Sequence, residues 1–477
     1  MKHHQPDTSG HVGTLTQDQW DALGEIWSFL LHLWYSEPSS PTGDPSHLRR
    51  SSSHGTPVSP TSSKGDSSHK GDTLMASSSP KTSSEYRSIS PTPASPTRLS
   101  QSFYQPSIAS SPPRPTSPFN NHLPGGAATA AAALRRSAAK LKPWLPAKKF
   151  IFKYSPAEYQ NVFWSFVQAE HPDTVVLRFL RARKWNVEKA MEMLILALEW
   201  RITMGVDEIV QESEDSIEAK YPGFLEQLKS GKVIFRGRDR QGRPLCLLDP
   251  SFHHPHAQSQ QAIEKLAIYV IETGRLMMTP PTETISVVFN MTNFSMSNMD
   301  WPTTKFFIHA AEACYPELLG VCLVHKAPWI FGALWKAISP MIDPAIRAKI
   351  KFTHNHHDLV EFIERDQLMH NKAYNGLDET PYEYVPPVPD ENKLLHEDSE
   401  AKQRALAKRK ELELTFERLT EIWQGQKQLS SNAAVIQERH EVGKRMGEVW
   451  WATSPYTRAK TVYHRIGAIK PPTQASA

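Results

Sequence analysis

Histidine supplies the densest reactive groups in the sequence. His253, His254 and His256 crowd one segment, and His354, His356 and His357 another. Imidazole is both a zinc ligand and a general base, so a histidine-metal hydrolase is the enzymatic reading to weigh. Neither group brings thiolates or a firm ligand spacing, and both fall where loops are expected. Exposed loop histidines are therefore the expectation. The sequence has no Gly-x-x-x-x-Gly-Lys phosphate cradle, no Gly-x-Ser-x-Gly elbow, no His-Glu-x-x-His helix and no Cys-x-x-Cys pair. Asn290-Met291-Thr292 has the form of a glycosylation sequon, but it falls in a segment expected to be a buried strand. The residue types point away from catalysis and resident metal, and towards binding.

Apolar surface is the stronger signal. In residues 327–344, Trp329, Ile330, Phe331, Leu334, Trp335, Ile338, Met341 and Ile342 leave almost no polar face. A helix of that kind is either fully buried or covers something apolar. The elements around it must make the site. β-Prone runs at 245–249, 285–291 and 319–326 alternate with helical patterns at Ala262–Leu276, Thr303–Cys314 and Ile330–Ile338. That alternation predicts an α/β sheet with covering helices. Residues 156–205 read as helices, with an apolar stripe through Phe163, Phe166 and Val167.

The flanks differ in character. Thr16-x-x-Gln19 is a capping-box pattern opening an amphipathic helix over 14–36, with Trp20, Leu23, Trp27, Leu30, Leu31 and Trp34 on one face. An isolated helix of that length is marginal in water, so it needs a partner: the distant core, a membrane or another protein. Across 37–125 the composition collapses, and 40 of the 70 residues at 51–120 are Ser, Thr or Pro. Too little apolar surface remains to offset chain entropy, which predicts a disordered linker. Within it Ser59, Ser79, Ser90, Thr92, Ser95, Ser111 and Ser117 each precede proline, a pattern suited to proline-directed kinases. The segment 126–154 is basic, through Arg135, Arg136, Lys140, Lys142, Lys148, Lys149 and Lys153, and suits either an anionic lipid surface or simple solvation. Residues 376–477 read as a helical extension, with a stripe through Ala405, Leu412, Phe416, Leu419 and Trp423 and a second helix near Ala433–Val449.

Composition sets the outer limits. The 38 prolines among 477 residues and a hydrophobic content of 39% suit a chain that is part core and part disorder. Three cysteines exclude a disulfide scaffold. A net charge of +4 is too small to argue for nucleic acid. No apolar run approaches the ~18 residues of a spanning helix, and the first residues do not look like a secretory signal. A cytoplasmic protein, likeliest as a monomer, is the expectation.

Several ordered motifs carry a family resemblance over about residues 155–375. They are LRFLRARKWNVEKAMEML (177–194), DRQGRP (239–244), VVFNMTNFS (287–295), YPELLG (315–320), HKAPWIF (325–331) and DPAIRAKI (343–350). In that order they resemble CRAL-TRIO lipid-binding proteins, and among those the fungal phosphatidylinositol transfer proteins. The resemblance implies a helical module over 155–225 and a lipid-binding domain over 226–375, a mixed sheet covered by helices around a lipid cavity. It implies a phosphatidylinositol headgroup site at Arg183, Glu317 and Lys349, with no cofactor besides bound phospholipid. It also implies a cavity and gate involving Phe235, Cys246, Ile285, Val287, Trp329, Phe331, Leu334, Trp335, Ile338 and Ile346. Where family members carry hydroxyl groups for a choline headgroup, this sequence has Phe235, Cys246, Ile285 and Val287. Such a pocket suits a second ligand that is apolar, a sterol, squalene or another neutral lipid, better than a zwitterion. Transient association with an intracellular membrane (endoplasmic reticulum, endosome or lipid droplet) and a lipid kinase as partner follow from the same resemblance. The alternative is a lipid-sensing scaffold switched by phosphorylation of the linker.

Overall fold

The structure is a computed structural model, and it describes residues 10–35, 152–425 and 429–471. The Ser/Thr-Pro sites, the expected linker and nearly all of the basic segment lie outside the described residues. At the edge of that segment, Lys153 pairs with Glu199 at 3.0 Å.

The helices run α1 Gln17–Tyr35, α2 Pro156–Val167, α3 Pro172–Ala182, α4 Val187–Thr203, α5 Val206–Gln211, α6 Glu214–Lys220, α7 Phe224–Lys229 and α8 Gln260–Arg275. They continue with α9 Trp301–His309, α10 Phe331–Ile338, α11 Pro344–Ala348, α12 His356–Val360, α13 Lys393–His396, α14 Glu400–Gly425, α15 Leu429–Thr453 and α16 Val462–Arg465. The strands are β1 Val233–Arg238, β2 Pro244–Leu248, β3 Ile285–Asn290, β4 Leu319–His325 and β5 Ile350–Thr353. They form one sheet in the order β1-β2-β3-β4-β5. Only β1 runs antiparallel to its neighbour; β2 to β5 are parallel. Short edge strands and a glycine-containing irregularity in β1 limit the exposed backbone at the sheet's rim.

Strand side chains alternate between two faces, as a period of two requires. On one face Ile234, Leu245, Leu247, Val288, Val321 and Leu323 pack beneath Leu359, Ile363 and Leu368. On the other face Phe235, Cys246, Ile285, Val287, Cys322 and Val324 point into a cavity. Helix α8 lies over part of this second face. Its Gly274 is the close-approach point, because a Cβ there would meet the Phe235 ring at 2.4 Å and Ile285 at 2.9 Å.

The largest apolar core belongs to the helices. The expected capping box opens α1, with Thr16 N–H donating to Gln19 Oε1 at 3.0 Å. Its aromatic face finds its partner within the chain, packing among α2, α3, α4 and α14. Trp27 is fully buried, lies edge-on to Phe163, and donates its indole N–H to Asp173 at 2.7 Å. Asp173 also takes Arg439 of α15, whose guanidinium lies 4.0 Å from the Phe416 ring centre. Tyr35 at the end of α1 donates to Glu417 of α14, which also accepts from Gln160 at 2.8 Å and Trp164 at 2.9 Å.

Candidate lipid-binding site

The cavity has a volume of about 400 Å³. Its floor is the sheet face just described. Its cover is α10, which contributes Phe331, Leu334, Trp335 and Ile338, with Ile342 and Ile346 beyond. Of α10 itself only Leu334 is buried. The helix that was expected to be either core or cover is thus a cover, held by few contacts. Phe331 approaches Phe294 at 6.3 Å and Trp335 meets Phe352 edge-on at 5.3 Å.

Nine of the ten residues expected at the cavity and gate line it: Phe235, Cys246, Ile285, Val287, Phe331, Leu334, Trp335, Ile338 and Ile346. The exception is Trp329, which is 92% exposed on the outer side of the entry to α10. The turn ahead of the helix faces it outward, and among the described residues no other large apolar side chain is so fully exposed. Exposed Lys336, Met341, Arg347, Lys351 and Phe352 share the neighbouring sequence. Burial raises the thiol pKa of both Cys246 and Cys322 to about 12, so these sulfurs act as small apolar groups in the wall.

The expected headgroup residues divide. Glu317 and Lys349 come together, with Lys349 Nζ 3.2 Å from Glu317 Oε2 and 2.9 Å from the Leu319 carbonyl. Both are half-buried at the N-terminal ends of β4 and β5. Glu317 holds a left-handed backbone with φ of 59°, a strained state for a side chain of its size. The strain is imposed from one side by a deep anchor. A π-helical turn at Ala310–Cys314 extends α9 into Tyr315, whose hydroxyl donates to Glu272 at 2.6 Å. Glu272 is fully buried and also receives Arg201 at 2.7 Å. Burial pushes the Glu272 pKa up, but Arg201 and Arg275 together outweigh it and hold the group at about 2.

Arg183 is bonded to neither of the other two. It caps the C-terminus of α3, and its guanidinium donates to its neighbour's carbonyl, Ala182 O, at 3.3 Å. It lies in the field of Glu312, a cavity-lining carboxylate that burial shifts upward and Arg183 partly offsets. Glu312 in turn accepts the N–H of Asp343 at 2.6 Å, and Asp343 caps α11, the helix that ends at Lys349. Arg178 and Arg181, on the same helix as Arg183, are committed elsewhere: Arg178 to Glu170 and Arg181 to Glu283 at 3.3 Å. Arg183 is the guanidinium of that run without an acidic partner among the described residues.

The histidine clusters correct one expectation. His254, His256, His354 and His357 are exposed, but His253 is buried against the cavity. Its ring lies 3.1 Å from Lys232 Nζ and 3.1 Å from Asp300. Sequence reasoning missed this grouping because its members are far apart and each has a local role. Lys232 precedes an edge strand, and Asp300 caps α9 through the Thr303 N–H at 2.9 Å. Among the described residues, no group of three His, Cys, Asp or Glu side chains could hold a metal ion.

Comparison with known proteins agrees with this geometry. Residues 228–376 match the CRAL/TRIO domain and residues 140–196 the CRAL/TRIO N-terminal domain. A CRAL-TRIO domain-containing protein of Schizosaccharomyces pombe is 38% identical over 330 residues, covering 68% of this chain and 72% of that protein. The phosphatidylinositol transfer protein CSR1 of Eremothecium gossypii is 34% identical over 317 residues, covering 66% and 72%. The phosphatidylinositol transfer protein PDR17 of Saccharomyces cerevisiae is 27% identical over 220 residues, covering 45% and 60%.

Proposed function

The chain belongs to the CRAL-TRIO family of lipid-binding proteins, and from that premise we propose that it extracts phosphatidylinositol from membranes and carries or presents it. The observation that carries the reading is an apolar cavity covered by a helix with a single buried residue, Leu334. A diacyl lipid exposes roughly 30 methylenes, and at ~0.8 kcal/mol each its passage through water costs more than 20 kcal/mol. A cavity that receives the chains at the membrane removes that step, and no covalent bond need form or break.

The exposed Trp329 and its basic neighbours Lys336, Arg347 and Lys351 suit contact with an anionic bilayer. Outward movement of α10 then opens the cavity, and the chains enter first. Glu317 pairs with Lys349 at 3.2 Å. A phosphodiester replaces it as the partner of the ammonium, leaving the Glu317 carboxylate to accept from inositol hydroxyls, while Arg183 supplies a guanidinium from the α3 side. The cavity wall offers no hydroxyl from Phe235, Cys246, Ile285 or Val287, which favours an apolar second ligand over phosphatidylcholine. A lipid kinase that accepts the presented headgroup belongs to the same reading.

The test is transfer of labelled phosphatidylinositol between vesicles by wild type and by a Glu317→Ala, Lys349→Ala double variant. The reading requires a loss of at least tenfold in a variant that unfolds at an unchanged temperature. Equal transfer by the two proteins would sink the headgroup assignment.

A further inference from the structure

A second polar locus borders the cavity, at the opposite ends of the strands from Glu317 and Lys349. Lys232 is 5% exposed there, and its ammonium donates to Gln227 and to Nδ1 of His253 at 3.1 Å. Because Nδ1 accepts from an ammonium, the ring carries its proton on Nε2 and donates to Asp300 at 3.1 Å. An ammonium has three N–H groups. Two are used, and the third has no partner among the described residues. Thr303, 8% exposed in the first turn of α9, has a buried hydroxyl that also lacks one. Lys232, His253, Asp300 and Thr303 all line the cavity. Burial lowers the Lys232 pKa to about 8, with Asp300 pulling the other way.

We propose that this locus is a second ligand subsite, which takes the hydroxyl group of a neutral lipid with a single polar head. The rest of the ligand lies along the apolar wall. The unused groups choose the chemistry. A hydroxyl can accept from the free Lys232 N–H and donate to Thr303 or Asp300 in the same place. A pure hydrocarbon leaves those groups buried and unpaired. A carboxylate meets Asp300 and Asp249, which also border the cavity, and is repelled. The subsite rests on the carrier reading above.

The experiment offers the full chain phosphatidylcholine vesicles doped separately with hexadecan-1-ol, hexadecane, palmitic acid or phosphatidylinositol. Sixteen carbons were chosen to match the roughly 20 Å spanned by a six-residue strand such as β3. The protein is re-isolated and its bound lipid measured by mass spectrometry. Wild type is expected to retain the alcohol over the alkane by roughly tenfold, and over the acid. Lys232→Met is expected to bring the alcohol-to-alkane ratio close to one. Thr303→Val keeps the shape of the site, removes only the hydroxyl, and is expected to lower the ratio part of the way. Equal retention of alcohol and alkane, a preference for palmitic acid, or an unchanged ratio in folded Lys232→Met would each overturn the subsite. If phosphatidylinositol is taken up without any preference for the alcohol, the carrier reading survives and the subsite does not. Uptake of none of the four overturns both.

Discussion

At the scale of single residues, a pair of opposite charges organises the Glu317–Lys349 end of the sheet from a distance. Glu272 contacts no expected ligand residue, yet through Tyr315 it fixes the turn on which Glu317 sits. Replacing it by Gln takes the nearest carboxylate from buried Arg201, which keeps only Asp207 at 3.8 Å, and one of two from Arg275, which keeps Glu170 at 2.6 Å. The expected loss is about 3–5 kcal/mol at neutral pH, read by chemical denaturation. The pH dependence follows from the same charge. The Glu272 pKa is about 2 in the folded chain, from an ordinary 4.5. The unfolded chain therefore binds more protons between these values. The contribution is complete above pH 4.5 and lost as pH falls towards 2. Glu272→Gln is expected to flatten the stability curve in that window, and an unchanged slope would refute the assignment. Glu317 and Lys349, which the structure pairs, could be singled out in the sequence because each sits inside a short motif. Lys232, His253 and Asp300 could not be, since only the strand register brings them together: Lys232 O accepts the Asp249 N–H at 2.7 Å, and that fold-back delivers His253.

At the scale of elements, legibility tracked length and period. The runs read as strands at 245–249, 285–291 and 319–326 correspond to β2, β3 and β4 within about a residue at each end. β5 is four residues long, and α5 to α7 are one or two turns each, too short to show a period against their background. The C-terminal extension was legible as helices but not in its role. The hydroxyl oxygen of Tyr463 in α16 accepts the N–H of Phe235 at 2.9 Å, and its ring packs edge-on to that of Phe235 at 5.6 Å. An edge-strand group that neighbouring strands cannot satisfy is thus closed by a segment over two hundred positions away. Helix α10 shows the opposite economy. Its apolar length suggested burial, yet it is committed to the protein through Leu334 and to the cavity through its inner face. Trp329→Ala is accordingly expected to leave thermal unfolding unchanged, because the side chain has almost nothing to lose. Association with anionic vesicles, measured by sedimentation, should weaken several-fold. Equal sedimentation would remove Trp329 from the docking surface.

At the scale of the molecule, the helical core and the sheet share the task. The helical core gathers α1, α2, α3, α4, α14 and α15 around Trp27, Phe163 and Phe416. The sheet supplies one face to its own core and the other to the cavity. The two meet at Tyr315, which belongs to the helical core and also lines the cavity. Among the described residues no helix is long and apolar enough to cross a membrane, and the exposed side of the gate is the surface best suited to meet one. The amphipathic face of α1 announced a partner in the sequence, but which one could not be read there, because Asp173, Arg439 and Glu417 are separated from it by more than a hundred positions.

The seating of α1 has a topological result. Tyr35 and Phe152 both belong to the described fold, so the chain leaves it after the one and re-enters it before the other. A protease cut between Tyr35 and Phe152 would convert one chain into two without releasing either. The N-terminal fragment would remain bound through Trp27 and Tyr35, and the pieces should separate on a denaturing gel while eluting together from a sizing column. Separate elution would mean that the covalent connection, and not the buried face of α1, keeps the helix in place.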